Sequence, residues 1–283
     1  MGTPALYFKP KTLHEALSLL ADGSGQILAG ATDFYPALGG RPPQGSIVDV
    51  SGLGEIWGIS LDAEWVRIGG LTTWTEIIRA ALPRSFDGLK AAAREVGSVQ
   101  IQNRGTVAGN LCNASPAADG VPPLLALDAE VELVSASGIR RLPLAEFILG
   151  NRKTARLRGE ILTAVMVPRR LENAWSSFLK LGARRYLVIS IAMVAAMVQV
   201  DEAGRVVEAH VAVGSCSAAA RRLRDLERDL VGVPVSDGIG ALVKVEHLAP
   251  LSPIDDVRAT GQYRRDASLT LVGRALNACV GKG

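Results

Sequence analysis

From Thr12 onward the apolar positions recur at helical spacing. Leu13, Ala16, Leu17 and Leu20 fall on one stripe, Thr12-Leu13-His14-Glu15 reads as a capping box, and Gly23 ends the run. The period then shortens: residues 26–29 and 46–50 predict strands on either side of a small-residue turn, so 1–52 should form a βαβ-type first subdomain. Short strands are expected at 56–59 and 65–68. A second capping box, Thr73-Trp74-Thr75-Glu76, opens a helix through 82, and residues 88–96 predict another. Stretches 131–134, 140–142 and 161–167 read as strands around a turn at Gly138, with Pro168 closing a second subdomain, 53–170. In the last unit, 171–283, the β-branched runs 188–200 and 206–213 are joined by Asp201-Glu202-Ala203-Gly204, a hairpin signal. Helices at 218–230 and 262–280 follow, the second with Leu269, Val272, Leu276 and Val280 on one stripe. No repeat or long linker separates these units, so they should pack together.

Composition narrows the class. A chain of 283 residues, 48% hydrophobic and 21% charged, can bury more than one core. The formal charge is only +3, and the basic residues are scattered apart from Arg184-Arg185 and Arg221-Arg222, which disfavours nucleic acid as a partner. The start carries a Pro and charged groups before any apolar run, unlike a signal peptide, and the longest apolar window, 187–198, is too short for membrane insertion. Cys112, Cys216 and Cys279 form no CxxC pair, and His14, His210 and His247 stand alone, so no iron–sulfur or zinc site and no disulfide framework is expected within the chain. A reducing, cytoplasmic setting fits.

Chemistry concentrates in residues 97–131. Gly105, Gly109 and small side chains surround Asn103, Asn110, Asn113 and Asp119, and from Val121 the stretch turns apolar, as in a ligand-holding loop anchored on a buried element. An ordinary Gly/Asn-rich turn would have the same composition. Residues 29–34 form a second small-residue turn, directly after a predicted strand. Neither GxGxxG nor a P-loop is present, which disfavours a Rossmann NAD site. Other residues keep two readings. Asp119 could cap a following helix, Lys180 could be a surface lysine, and the basic run 152–158 could be a charged lid or a solvated loop. Asp255-Asp256 read as helix-start charges, and no Ser–His–Asp or Cys–His arrangement can be assembled from spacing.

QIQNRGTVAGNLCNASPAAD, residues 100–119, resembles the second FAD-binding segment of the flavin subunit of molybdenum hydroxylases, the family of xanthine dehydrogenase and of the medium subunit of aerobic carbon monoxide dehydrogenase. Ile27-Leu28-Ala29-Gly30-Ala31-Thr32-Asp33-Phe34 resembles the first such segment. Gly159-Glu160-Ile161-Leu162 and Ser177-Phe178-Leu179-Lys180 resemble two flavin-side segments, and 256–278 the C-terminal helix. The resemblance implies an α+β chain: a PCMH/vanillyl-alcohol-oxidase-type FAD-binding fold of two α/β subdomains plus a C-terminal antiparallel sheet with helices. It implies FAD held at its pyrophosphate by Ile27, Leu28, Ala29, Gly30, Ala31, Thr32, Asp33 and Phe34 together with Thr106, Val107, Ala108, Gly109 and Asn110, through backbone N–H groups from both sides. Asp119 would accept bonds from cofactor hydroxyls, Leu162 would lie beside the flavin, and Lys180 would sit at the flavin end and raise its potential. The implied partners are a molybdenum-cofactor large subunit and an iron–sulfur small subunit in a dimer of heterotrimers, with electrons passing from the clusters through FAD to an external acceptor. Two alternatives share the fold: a self-sufficient FAD-dependent reductase or oxidase, and a flavin-less assembly module. Ala31 and Ala108 stand where the family more often has Gly. The expectation is that both adopt negative φ or that the cofactor sits further off. Val96 stands where a bulkier apolar contact is usual.

Overall fold

The computed structural model describes residues 6–280, so the first five and last three residues of the expected units lie outside the described residues. Three main sheets follow one another along the chain. The first is parallel: Ser46–Asp49 lies between Leu6–Phe8 and Gln26–Leu28, with helix Leu13–Leu20 crossing from Leu6–Phe8 to Gln26–Leu28. Its core joins Ala16, Leu20, Val48 and Val50 to Leu53, Ile56, Leu71 and Ile161, so the small unit leans on the next one. The Thr12 cap is half a box. Thr12 Oγ1 accepts from the Glu15 N–H at 3.2 Å, but the Glu15 carboxylate reaches back to the Lys11 N–H at 2.8 Å. Strand Leu6–Phe8 carried no legible pattern because it is an exposed edge, with Leu6 57% and Tyr7 55% exposed.

The second sheet has five strands in the order Ile59–Leu61, Trp65–Gly69, Ile161–Pro168, Glu130–Ser135 and Gly138–Pro143, and every pairing is antiparallel. The expected α/β pattern therefore holds for the first subdomain only. The strand expected at 56–59 begins at Ile59, because Gly54–Ile56 closes a 3₁₀ turn whose Ile56 carbonyl takes the Leu71 N–H at 3.0 Å. Helix Trp74–Arg79 starts with the complete Thr73/Glu76 box and ends three residues short of 82.

In the third unit, strands Trp175–Leu181, Ala192–Val200, Val206–Gly214 and Arg221–Arg222 form an antiparallel sheet. Strand Ala192–Val200 is buried on both faces. Met193, Ala195 and Met197 enter the central core, while Ala192, Val194, Ala196 and Val198 pack against helix Gly261–Val280. The helix expected at 218–230 is confined to Arg224–Leu230, since Arg221 and Arg222 pair as a strand edge.

Candidate functional site

The two small-residue turns meet. They line a cavity of about 420 Å³ at the junction of the first and second sheets, within the size range of cofactor pockets. The first turn leaves strand Gln26–Leu28 and passes through Ala31 at φ +64°, a left-handed conformation. The amides of Gly30, Ala31, Thr32 and Asp33 make no hydrogen bond among the described residues. Successive free N–H groups around a left-handed residue form a concave anion-binding nest. A Cβ on Gly30 would come within 2.0 Å of the Arg104 carbonyl oxygen and 3.1 Å of Gly105 Cα, so this close approach of two backbones admits only glycine.

The second turn is not a loop but the start of helix Val107–Asn113. Thr106 caps it, with Oγ1 accepting from the Gly109 N–H at 3.1 Å. The Val107 and Ala108 amides donate to Thr72 and Gly70 carbonyls, both at 3.0 Å, and the Asn110 amide to Thr106 O. The amides of Val107 to Asn110 are therefore occupied, unlike those of the first turn, and only the Thr106 amide makes no hydrogen bond among the described residues. It also offers the Thr106 hydroxyl and the Asn110 side chain, whose Oδ1 is turned to Gly120 and buried without a hydrogen-bond partner. Ala108, inside the helix, has ordinary negative φ; Ala31 does not.

Of the residues singled out from sequence, Ile27, Ala29, Gly30, Ala31, Thr32, Asp33, Phe34, Thr106, Ala108, Gly109, Asn110 and Leu162 line the cavity. Leu28 and Val107 are buried in the core behind it. Asp119 and Lys180 lie outside the lining and form a buried ion pair at 2.7 Å. Lys180 also donates to the Glu95 carbonyl at 3.2 Å, and Ser190 donates to Asp119 at 2.9 Å. Burial pushes the Asp119 carboxyl above the usual range, against the opposing pull of Lys180 and Ser190. Helix Val121–Ala126 starts from Gly120 with no side-chain cap, so Asp119 is not its Asx cap, and Lys180 is no surface lysine.

Helix Val107–Asn113 gives the cavity two ends. Ile101 and Val96 stand near its N-terminus, where Lys180 grips Glu95. Cys112, Asn113 and Arg156 stand near its C-terminus. Glu160, whose carbonyl accepts from Arg156 at 2.8 Å, belongs to this second end, whereas Leu162, two residues on, lies against Gly70 and Ala108 at the first turn of the helix. Sequence reasoning missed Gln26, Trp74, Cys112 and Arg156, and the aliphatic wall of Val50, Ile56 and Leu71. Only Arg156 left a signal, inside the basic run. That run is a pinned loop rather than a swinging lid: Arg152 bonds Asn113, its amide donates to Ala114 O at 2.9 Å, and Lys153–Thr154 pairs with Ile148–Gly150. Burial raises the Cys112 thiol to about 11, with the Arg156 charge opposing. No helix among the described residues is long and apolar enough to cross a membrane.

Residues 3–170 match the family described as the FAD binding domain in molybdopterin dehydrogenase, and residues 177–279 match the CO dehydrogenase flavoprotein C-terminal domain. The nicotinate dehydrogenase FAD-subunit of Eubacterium barkeri is 36% identical over 238 residues, 81% of this chain and 80% of the relative. The putative xanthine dehydrogenase FAD-binding subunit of Escherichia coli K12 is 31% identical over 98% of this chain and 96% of its own. The carbon monoxide dehydrogenase of Hydrogenophaga pseudoflava contains a chain that superposes with a TM-score of 0.90 at 25% identity, covering 99% of each. The protein belongs to the FAD-binding subunits of the molybdenum hydroxylase family. It is an oxidoreductase subunit of the mixed α+β, PCMH-type fold, and its cofactor is FAD.

Proposed function

We propose that this chain carries electrons within a multi-subunit molybdenum hydroxylase, from iron–sulfur clusters on a small partner subunit through FAD to an external acceptor. The large partner would hold the molybdenum cofactor, in a cytoplasmic dimer of heterotrimers. When bound, the isoalloxazine ring supplies reversible electron uptake. The observation that carries the cofactor placement is the run of free amides, Gly30 to Asp33, in a cavity whose other side presents Thr106 and Asn110. Those amides and the Thr32 and Thr106 hydroxyls suit a diphosphate, and the Asn110 side-chain amide supplies a donor to a cofactor oxygen. Ile27, Ala29, Phe34, Ala108, Gly109 and Leu162 provide the apolar and backbone walls.

The flavin ring belongs at the Val96–Ile101 end. Val96 and Ile101 are only half-buried there, which suits a ring that must exchange electrons with other chains. Behind that end, Asp119 and Ser190 hold Lys180 in place, and its charge favours a ring that gains negative charge on reduction. The test is FAD titration of the full-length chain. Asn110→Ala should weaken FAD binding about tenfold, the worth of one good hydrogen bond, with no loss of thermal stability in the FAD-free protein. Equal FAD affinity in the two proteins would sink the placement. Turnover of a small substrate by this chain alone would favour the self-sufficient flavoprotein, whereas stoichiometric copurification with molybdenum and iron–sulfur chains favours the electron-transfer subunit.

A further inference from the structure

The cavity has a single basic lining residue, Arg156, at the end away from Val96 and Ile101. We infer that the Arg156 guanidinium is a ligand for the adenosine half of the cofactor and makes this site selective for a dinucleotide over a mononucleotide flavin. The inference rests on the cofactor placement proposed above.

Arg156 is fixed through one nitrogen only. Nη1 donates to the Glu160 carbonyl at 2.8 Å and to Leu157 O at 3.5 Å. Nε and Nη2 have no partner among the described residues, so two donors and a planar cation remain available. The strand that leaves Glu160 sets Ile161, 2% exposed, beside it as an aliphatic wall. A flat, uncharged heterocycle such as adenine fits an aliphatic slot with one guanidinium at its rim, where Arg can stack on the ring or donate to its nitrogens.

The diphosphate is too far away to be the Arg156 partner. The nest at Gly30–Asp33 abuts Gly105, just before helix Val107–Asn113, whereas Arg156 stands with Cys112 and Asn113 at the other end. Seven helical residues at 1.5 Å rise separate them by roughly 10 Å. Nor does this end suit the ring that reacts, since its wall, Ile161, is a core residue shared with the first subdomain.

The test uses the full chain and three probes, FAD, ADP and FMN, the last two measured by competition with FAD. In Arg156→Leu, FAD and ADP should each weaken about tenfold, while FMN changes less than about twofold. Arg156→Lys, which keeps the charge but loses the plane, should fall between. Arg158→Ala, two residues along the same loop and outside the cavity, should leave all three unchanged and controls for loss of loop charge. Equal weakening of FMN and ADP would put Arg156 at the phosphate they share, and weakening of FMN alone would put it at the flavin; either overturns the inference, as would unchanged FAD and ADP binding, and none of these results touches the FAD assignment itself. If the unmodified chain took up no FAD, the cofactor placement would fall, and the inference with it.

Discussion

Ala31 and Ala108 occupy positions that sequence treats alike, and the fold treats them differently. Ala108 lies in the first turn of a helix, where alanine costs nothing. Ala31 holds φ +64°, at a typical cost of about 1–2 kcal/mol for a residue with a Cβ. Glycine there would relieve that strain but add roughly 0.4–1 kcal/mol of unfolded-state freedom to lose. Ala31→Gly should therefore stabilise the FAD-free chain by about 0.5–1 kcal/mol, read from the urea midpoint; a midpoint that drops would show that the turn is not held in this conformation. Nothing local marks Ala31 as left-handed. Its φ is imposed by the approach of the turn to Arg104 and Gly105, some seventy residues on.

Elements with their signals written in neighbouring residues were legible: the Thr73/Glu76 box, the Asp201–Gly204 hairpin, the apolar strand Ala192–Val200 and helix Gly261–Val280. Strand Trp175–Leu181 was not, because Ser176 and Ser177 break its apolar pattern. Both are nevertheless buried, Ser176 accepting from the Gly88 N–H and Ser177 donating to Ala275 O, each at 2.8 Å. The start of the last helix shows the same dependence on distant partners. Asp255 accepts from the Gly261 N–H, as a helix-start acid should, but Asp256 instead binds Arg258 and the fully buried Arg264. Arg264 in turn donates to Ile191 and Ser215 carbonyls, tying the helix to two strand ends. The Arg258 bonds, with the Arg264 charge, hold the Asp256 carboxyl well below the usual range against the cost of burial. A depressed carboxylate contributes stability that is complete above its unfolded pKa of about 3.9 and is lost as pH falls towards the folded value. The urea midpoint should therefore fall as pH drops below about 4. Asp256→Asn should lower it at pH 6 and flatten the acid limb; a variant with the same acid slope as the parent would assign that slope to other carboxylates.

At the scale of the molecule, the three sheets are joined by polar bonds as well as by the shared core. Arg222, 6% exposed, donates to Glu227 within its own unit and to Asp128 and the Leu125 carbonyl in the preceding one. Arg170 and His210 complete the network, and its carboxylates, Asp128 and Glu208, are engaged by arginines. The three side chains Asp128, Glu208 and His210 bring ligand atoms within 4.8 Å of one another, yet as an ion-pair junction rather than isolated donors. Removing one member of a buried pair leaves its partners uncompensated, typically at about 3–5 kcal/mol. Arg222→Ala should destabilise the chain by that order, and fluorescence and circular dichroism followed through the same urea titration should show whether the C-terminal unit separates first. A loss below about 1 kcal/mol would mean that apolar contact alone holds the units together.

The sequence by itself determined where capped helices and hairpins start and stop, which stretches are small enough to meet a phosphate, and which family the motifs resemble, because those depend on residues close along the chain. Only the tertiary structure decided which backbone donors stay free, where Lys180 and Asp119 are buried together, and that Arg156 reaches the cavity. The reason is physical. An amide is available, a carboxyl is desolvated or a guanidinium reaches a cavity according to what the rest of the fold packs against it, and those neighbours come from elements tens of residues away.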